Sequence, residues 1–223
     1  MNKKIKTCLI SCAFFLVASI VFTILLFTVD VRTSYYNEKL GLASLNENVF
    51  NAIGESKVWY YITQVLGYVA ILVVICFAVI GVIQFIKNKS IKKVDKEIIG
   101  LGVVYIVIAI IYVFFEKVVI VNYRPILEDG EVAASFPSSH TLLACVVFCT
   151  ALLEAKKLIK VKFINDNLIF LIEFLVILMA GGRLLSGVHW LSDIIASVLY
   201  SGVIISAYYL VMYYLNQKEI KEE

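Results

Sequence analysis

The sequence predicts an all-α polytopic membrane protein with six transmembrane helices and both termini in the cytoplasm, and three observations carry that prediction. The first is composition: 61% of the 223 residues are hydrophobic and the mean hydropathy is +0.93, whereas soluble domains are typically about 45–50% apolar. The second is run length. A helix that satisfies its own backbone hydrogen bonds across the hydrocarbon needs about 20 apolar residues, and apolar runs appear at 7–29, 58–86, 98–115, 140–154, 167–182 and 191–215, the fourth and fifth being short. The third is where lysine falls. Lys3, Lys4 and Lys6, then Lys87, Lys89, Lys92, Lys93 and Lys96, then Lys156, Lys157, Lys160 and Lys162, then Lys218 and Lys221 all lie on one side of a six-span chain. Basic loops stay inside, so that side is the cytoplasm.

Each element follows from the same reasoning. The first run follows three lysines, as a secretory signal does, but it exceeds the about 7–15 apolar residues of a signal core and ends at Asp30-Val31-Arg32 with no small-residue cleavage site. It is expected to remain as a helix. The connection 30–57 is the longest, and Leu45, Val49, Phe50 and Ile53 recur near helical spacing within it. That spacing suggests an amphipathic helix on the outer interface, flanked by Tyr35, Tyr36, Trp59, Tyr60 and Tyr61 as an aromatic belt; a loop with scattered apolar residues fits as well. No soluble domain, repeat or linker interrupts the chain, so residues 1–223 read as one membrane-embedded domain. Cys8, Cys12, Cys76, Cys145 and Cys149 all lie in the runs without metal-ligand spacing and read as small packing residues. The net charge of +3 is accounted for by topology and calls for no nucleic acid.

Chemistry is concentrated in a few residues. The chain has two histidines and two prolines, and all four fall in three short patterns: Lys117-x6-Arg124-Pro125, Pro137-Ser138-Ser139-His140 and Arg183-x5-His189-x3-Asp193. By topology all three lie at the outer ends of spans. Histidine titrates nearest neutrality, so two of them beside cations point to proton transfer or nucleophilic attack at phosphate. Among three arginines in a lysine-rich chain, Arg124 and Arg183 belong to the patterns; with Lys117 they suit a phosphate group, although any one alone reads equally as a headgroup anchor. Ser138 and Ser139 precede an apolar run, as helix caps do, and the free amides of such a terminus bind anions. His189 and Asp193 are four apart and share a helix face. There Asp193 is placed to accept a hydrogen bond from one ring nitrogen and leave the other to attack phosphorus; a carboxylate favoured by the helix dipole is the plainer reading.

These residues resemble the type 2 phosphatidic acid phosphatase superfamily, whose patterns run Lys-x6-Arg-Pro, Pro-Ser-Gly-His and Ser-Arg-x5-His-x3-Asp. The resemblance implies that His189 is a nucleophile forming a phosphohistidine, that Asp193 orients it and that His140 protonates the leaving group. It also implies that Lys117, Arg124, Ser138, Ser139 and Arg183 bind phosphate, with no metal and no cofactor. Ser139 stands where the family carries glycine, and Gly182 where it carries the serine before arginine. The expected activity is hydrolysis of a lipid phosphate or diphosphate at the extracytoplasmic face of the cytoplasmic membrane. Undecaprenyl diphosphate, phosphatidylglycerol phosphate and phosphatidic acid are candidates, and the partners are that substrate and membrane lipids. A phosphotransferase using the same residues, or a non-catalytic lipid-phosphate binder or transporter, are the competing readings. Glu173, inside the fifth run, stays without a role, read as neutral or bonded to a tyrosine of a neighbouring helix. Glu128, Asp129 and Glu131 read as a solvated loop.

Overall fold

The computed structural model describes residues 3–34, 36–127, 130–158 and 161–222. Tyr35, Glu128, Asp129 and Lys160 lie outside the described residues. Among those described, the helices are α1 (Lys3–Thr28), α2 (Ala43–Ile53), α3 (Lys57–Asn88), α4 (Lys96–Val113), α5 (Ser139–Leu158), α6 (Lys162–Leu185) and α7 (Leu191–Glu222). A short antiparallel pair, β1 (Arg32–Thr33) with β2 (Lys39–Leu40), sets Arg32 opposite Leu40.

Among the described residues, five stretches are long and apolar enough to cross a membrane: Ile5–Thr28, Lys57–Asn88, Lys96–Val118, Lys162–Leu185 and Leu191–Gln217. The chain is a multi-pass membrane protein. The fourth expected run falls in α5, whose apolar stretch Ser139–Ala155 is shorter, and its position explains why. Leu142 and Val146 pack with Leu101, Val104 and Ile108 of α4 and with Ile204, Tyr208 and Met212 of α7. Ala144, Val147 and Phe148 of the same helix pack with Ala70 of α3 and with Ile172 and Met179 of α6. Because α5 is the axis of the bundle, its neighbours are protein rather than lipid tails, and its apolar length is not set by bilayer thickness alone.

Helices in lipid gain little from hydrophobic burial against one another, so close packing and hydrogen bonds hold them. The α1 and α7 pair shows both. A Cβ at Gly202 would lie 2.4 Å from the Phe15 ring, and Thr23 Oγ1 meets Tyr200 Oη at 2.9 Å. Along α7 the hydroxyls of Ser197, Ser201 and Ser206 donate to carbonyls one turn back, which leaves no unsatisfied hydroxyl at those positions.

The connection after α1 does form a helix, but its anchoring differs from an apolar stripe dipping into the interface. Leu45 and Ile53 are exposed while Ala43 and Asn46 are fully buried. The Asn46 amide donates to the carbonyl of Gly41 and to Ser192 Oγ, each at 2.9 Å, and its oxygen accepts from the Ser192 amide. Asp30 accepts from the Ser44 amide at 2.6 Å, which ties the start of α2 to the end of α1. That bond, ahead of the Arg32 guanidinium at 2.9 Å, holds the Asp30 carboxyl below its ordinary range. Phe50 then packs edge-on against Trp190, so α2 is fastened to the turn before α7.

Candidate active site

The three patterns meet at one end of the bundle. Between α4 and α5 the chain doubles back on itself: Tyr123 bridges Ala134, the Arg124 amide donates to the Ala133 carbonyl, and the Ser135 amide to that of Asn122. Phe136 stacks edge-on with Phe115 and Tyr200 and pins this hairpin to α7. From the other side, α6 and α7 are joined by a tight turn at Gly187, where φ is +74° and a side chain would meet Glu55 and Gly54. The result is a cavity of about 250 Å3 lined by Tyr112, Glu116, Arg124, Ser139, His140 and His189, among others. Arg124 also lines a neighbouring cavity of about 370 Å3 with Lys57, Tyr60, Tyr61 and Ser186.

His189 sits in the turn, 2% exposed, and its proton is placed by its neighbours. Nδ1 lies 2.9 Å from the Ser135 carbonyl. A carbonyl only accepts, so Nδ1 carries the hydrogen. Nε2 lies 3.3 Å from Arg183 Nη2, and a guanidinium only donates, so Nε2 presents its lone pair. Burial, then the charges of Arg183 and Arg124, hold the His189 pKa well below the ordinary histidine value, against the opposing pull of the Ser135 hydrogen bond. The ring is therefore neutral at pH 7, with the lone pair of Nε2 facing the buried Arg183 fork.

Asp193 does not make the direct bond expected from its spacing. Its Oδ2 is 3.7 Å from His189 Nδ1 and accepts instead from the Trp190 amide at 3.0 Å, while Oδ1 accepts from Asn122 Nδ2 at 3.1 Å. The reason is that α7 begins at Leu191: His189 lies before the helix, so the one-turn stacking assumed for the pair is broken. Asn122 also reaches Ser192 Oγ, and its own oxygen accepts from the Gly41 amide. The carboxylate thus belongs to a buried amide network that runs through Ser192 to Asn46 of α2.

Lys117 is likewise not brought into the cavity. The turn Phe114–Val118 at the end of α4 is a π turn, closed by the Val119 amide on the Phe114 carbonyl at 2.9 Å. The extra residue rotates Lys117 outward, where its side chain is 72% exposed and pairs with Glu116 at 3.6 Å, and it is Glu116 that lines the cavity. Ser138 is fully buried behind the wall, its hydroxyl against Thr141 Oγ1 at 3.0 Å and its amide on the Asp193 carbonyl. Ser139 does line the cavity. Glu173 lies on the exposed side of α6, away from these residues.

Residues outside the three patterns complete the site. Gln64 of α3 pairs its oxygen with His140 Nε2 and donates its amide to Tyr60 Oη at 2.9 Å. Thr63 Oγ1 lies 3.4 Å from Arg183 Nη1. The Tyr60 ring is 5.7 Å from the guanidinium carbon. Adjacent polar residues inside an otherwise apolar run were the available signal for Thr63 and Gln64. Among the described residues, no group of three or more His, Cys, Asp or Glu converges as a metal site would. Two histidines between two arginines instead suit an anion.

Comparison with known proteins bears on the fold and the family. A search of the solved structures gives a crystal structure described as the first transmembrane PAP2 type phosphatidylglycerolphosphate phosphatase, from Bacillus subtilis. The two share a fold at TM-score 0.61 and 15% identity, over 93% of this chain and 96% of that one. Comparison with the curated proteins gives no match. The sequence model of the PAP2 superfamily matches residues 68–217. That stretch holds every residue of the three patterns and about two thirds of the chain, and this chain therefore belongs to the PAP2 superfamily.

Proposed function

We propose that the protein is a six-span lipid phosphatase of one membrane domain, with both termini in the cytoplasm and its site at the extracytoplasmic face of the cytoplasmic membrane. It hydrolyses a lipid phosphate or diphosphate through a phosphohistidine at His189. The observation that carries this reading is the tautomer of His189: Nδ1 is bound to the Ser135 carbonyl and Nε2 is left basic, facing Arg183 inside a cavity with His140 and Arg124. Sidedness rests on the lysine distribution.

In the resting site Arg183 covers the nucleophile. A phosphoryl oxygen is a better acceptor for the guanidinium than a neutral imidazole, so on substrate binding Nη2 exchanges its contact with Nε2 for a phosphoryl oxygen, which brings phosphorus in front of that nitrogen. Arg124 and the amides at the start of α5 bind the remaining oxygens. Nε2 then attacks: an N–P bond forms as the P–O bond to the lipid breaks, and His140 gives its proton to the departing oxygen. His189 is now an imidazolium. The carboxylate of Asp193, 3.7 Å away, offsets that charge through space. Water, deprotonated by His140, attacks phosphorus next; the N–P bond breaks and inorganic phosphate leaves. The neighbouring cavity that shares Arg124 leaves room for a headgroup or a second phosphate.

Undecaprenyl diphosphate, phosphatidylglycerol phosphate and phosphatidic acid are the candidate substrates, the second also being the substrate class in the name of the Bacillus subtilis relative. Phosphate release from the purified chain against a panel of these lipids tests the reading. Release from at least one lipid, lost in His189→Ala, is expected; no release from any lipid phosphate overturns it, and transfer to a second lipid without free phosphate would replace hydrolysis with phosphotransfer.

A further inference from the structure

One face of α3 stands as a wall behind the site residues, and none of the three patterns contains it. Tyr60, Thr63, Gln64 and Gly67 are spaced i, i+3, i+4 and i+7, so their side chains share a face. Each contacts a site residue. Tyr60 faces the Arg183 guanidinium, Thr63 meets its Nη1, and Gln64 bonds His140. At Gly67 the absence of a side chain admits the His140 ring, since a Cβ there would come 2.7 Å from its Cδ2. The match to the superfamily begins at residue 68, immediately past this wall.

Thr63 is the residue with the most specific geometry. It is fully buried, and Arg183 is 1% exposed. Its hydroxyl lies 2.9 Å from the Trp59 and Tyr60 carbonyl oxygens, which accept its single proton. Toward Arg183 it therefore offers only a lone pair, and the guanidinium offers only N–H. The room for Thr63 comes from Gly182. A Cβ at that position would lie 2.6 Å from Thr63 Cγ2 and 3.2 Å from the Trp59 ring. A side chain at 182 and Thr63 in its present place thus exclude each other, and 182 is where the superfamily pattern carries the serine that precedes the arginine.

We propose that Thr63 is a positioning residue for phosphate binding: from α3 it supplies the hydroxyl that the pattern places at 182, and it fixes the Arg183 fork across His189. This rests on the reading above, in which Arg183 binds the phosphoryl group. Without the Thr63 acceptor, Nη1 of a buried guanidinium loses that hydrogen bond, and the hold on the fork beside Nε2 is weakened.

The test uses the full chain in detergent, with inorganic phosphate as the probe and its binding followed both by displacement of turnover and by thermal shift. Thr63→Val removes only the hydroxyl and is expected to weaken phosphate by about tenfold, the scale of one hydrogen bond to a charged group. Thr63→Ser is expected to bind like the parent. Thr63→Ala is expected to be weak, and adding Gly182→Ser to it is expected to restore binding by returning a hydroxyl from α6. Arg183→Ala is the control. If it binds phosphate as the parent does, the reading of the site fails. If it loses phosphate while Thr63→Val does not, that reading stands and this inference is overturned. Equal weakening in Thr63→Val and Thr63→Ser, or no recovery in the double variant, also overturns it, because packing and not the hydroxyl would then be at work.

Discussion

The two walls of the site hold their residues differently. On the loop wall, His189 is bonded to a backbone carbonyl, and Asp193 to a backbone amide and to the fully buried Asn122. On the α3 wall, His140 and Arg183 meet side chains, Gln64 and Thr63. Backbone partners are set by the course of the chain and survive most substitutions, whereas side-chain partners can be altered one at a time. The loop wall therefore resists change up to the point of unfolding, and the α3 wall is where this site can be tuned.

The largest effect short of the nucleophile is expected at His140. Replacing it by alanine removes the proposed proton donor and should lower kcat by about 10^2 to 10^4-fold, with folding intact because Gln64 keeps Tyr60 as a partner. Turnover within a few-fold of the parent would remove His140 from the chemistry.

Next comes a matched pair that probes the contrast itself. Asn122→Leu should cost about 2 kcal/mol of stability, since it strips a hydrogen bond from a buried carboxylate, and is read by thermal unfolding. Gln64→Leu should instead leave unfolding nearly unchanged and lower kcat about tenfold at constant KM, because it frees the His140 ring without touching phosphate. The reverse outcome, a kinetic defect in Asn122→Leu and an unfolded Gln64→Leu, would invert the assignment of the two walls.

What the sequence made legible, and what it did not, follows the same division. The helices, the end at which the patterns meet and the two histidines are all read from local signals, either apolar run length or fixed spacing. Thr63, Gln64 and Asn122 are distant in sequence from the residues they hold, and only the packing of α3 against α5 and α6, or of the hairpin against α7, brings them together. Pattern spacing does not register the π turn that leaves the Lys117 side chain exposed, and the Asp193 bond was misplaced because the start of α7 falls two residues beyond His189. The anchoring of α2 was hidden for a related reason. An amphipathic stripe was visible, yet the residue that docks the helix is the polar Asn46.

A smaller, graded effect is expected with pH. His189 must be neutral to attack, and its pKa lies well below the ordinary histidine value. On its account kcat/KM should stay level as pH falls from 8 through about 6.5, the unperturbed histidine value, and decline only below it. Stability follows the same sign: below about pH 6.5 the unfolded chain takes up a proton that the folded site refuses, so the stabilisation from neutral His189 is complete above that pH and is lost on acidification. An enzyme-linked acid limb at or above the ordinary histidine value would contradict the burial argument.

The smallest effect is expected at Lys117, for which the resemblance implied phosphate binding. With its side chain outside the cavity, Lys117→Ala should change kcat/KM by no more than about twofold, as for an exposed ion pair. A loss of a hundredfold would mean that the π turn rewinds and carries Lys117 into the site when substrate binds.

The claim that Nε2 of His189 becomes phosphorylated is tested most directly by rapid quench of turnover with a radiolabelled lipid phosphate, under alkaline conditions that preserve an N–P bond, followed by peptide mapping. The account predicts label on His189 that disappears on chase with unlabelled substrate and is absent from His189→Ala. Label on another residue, or full turnover in His189→Ala, would contradict it.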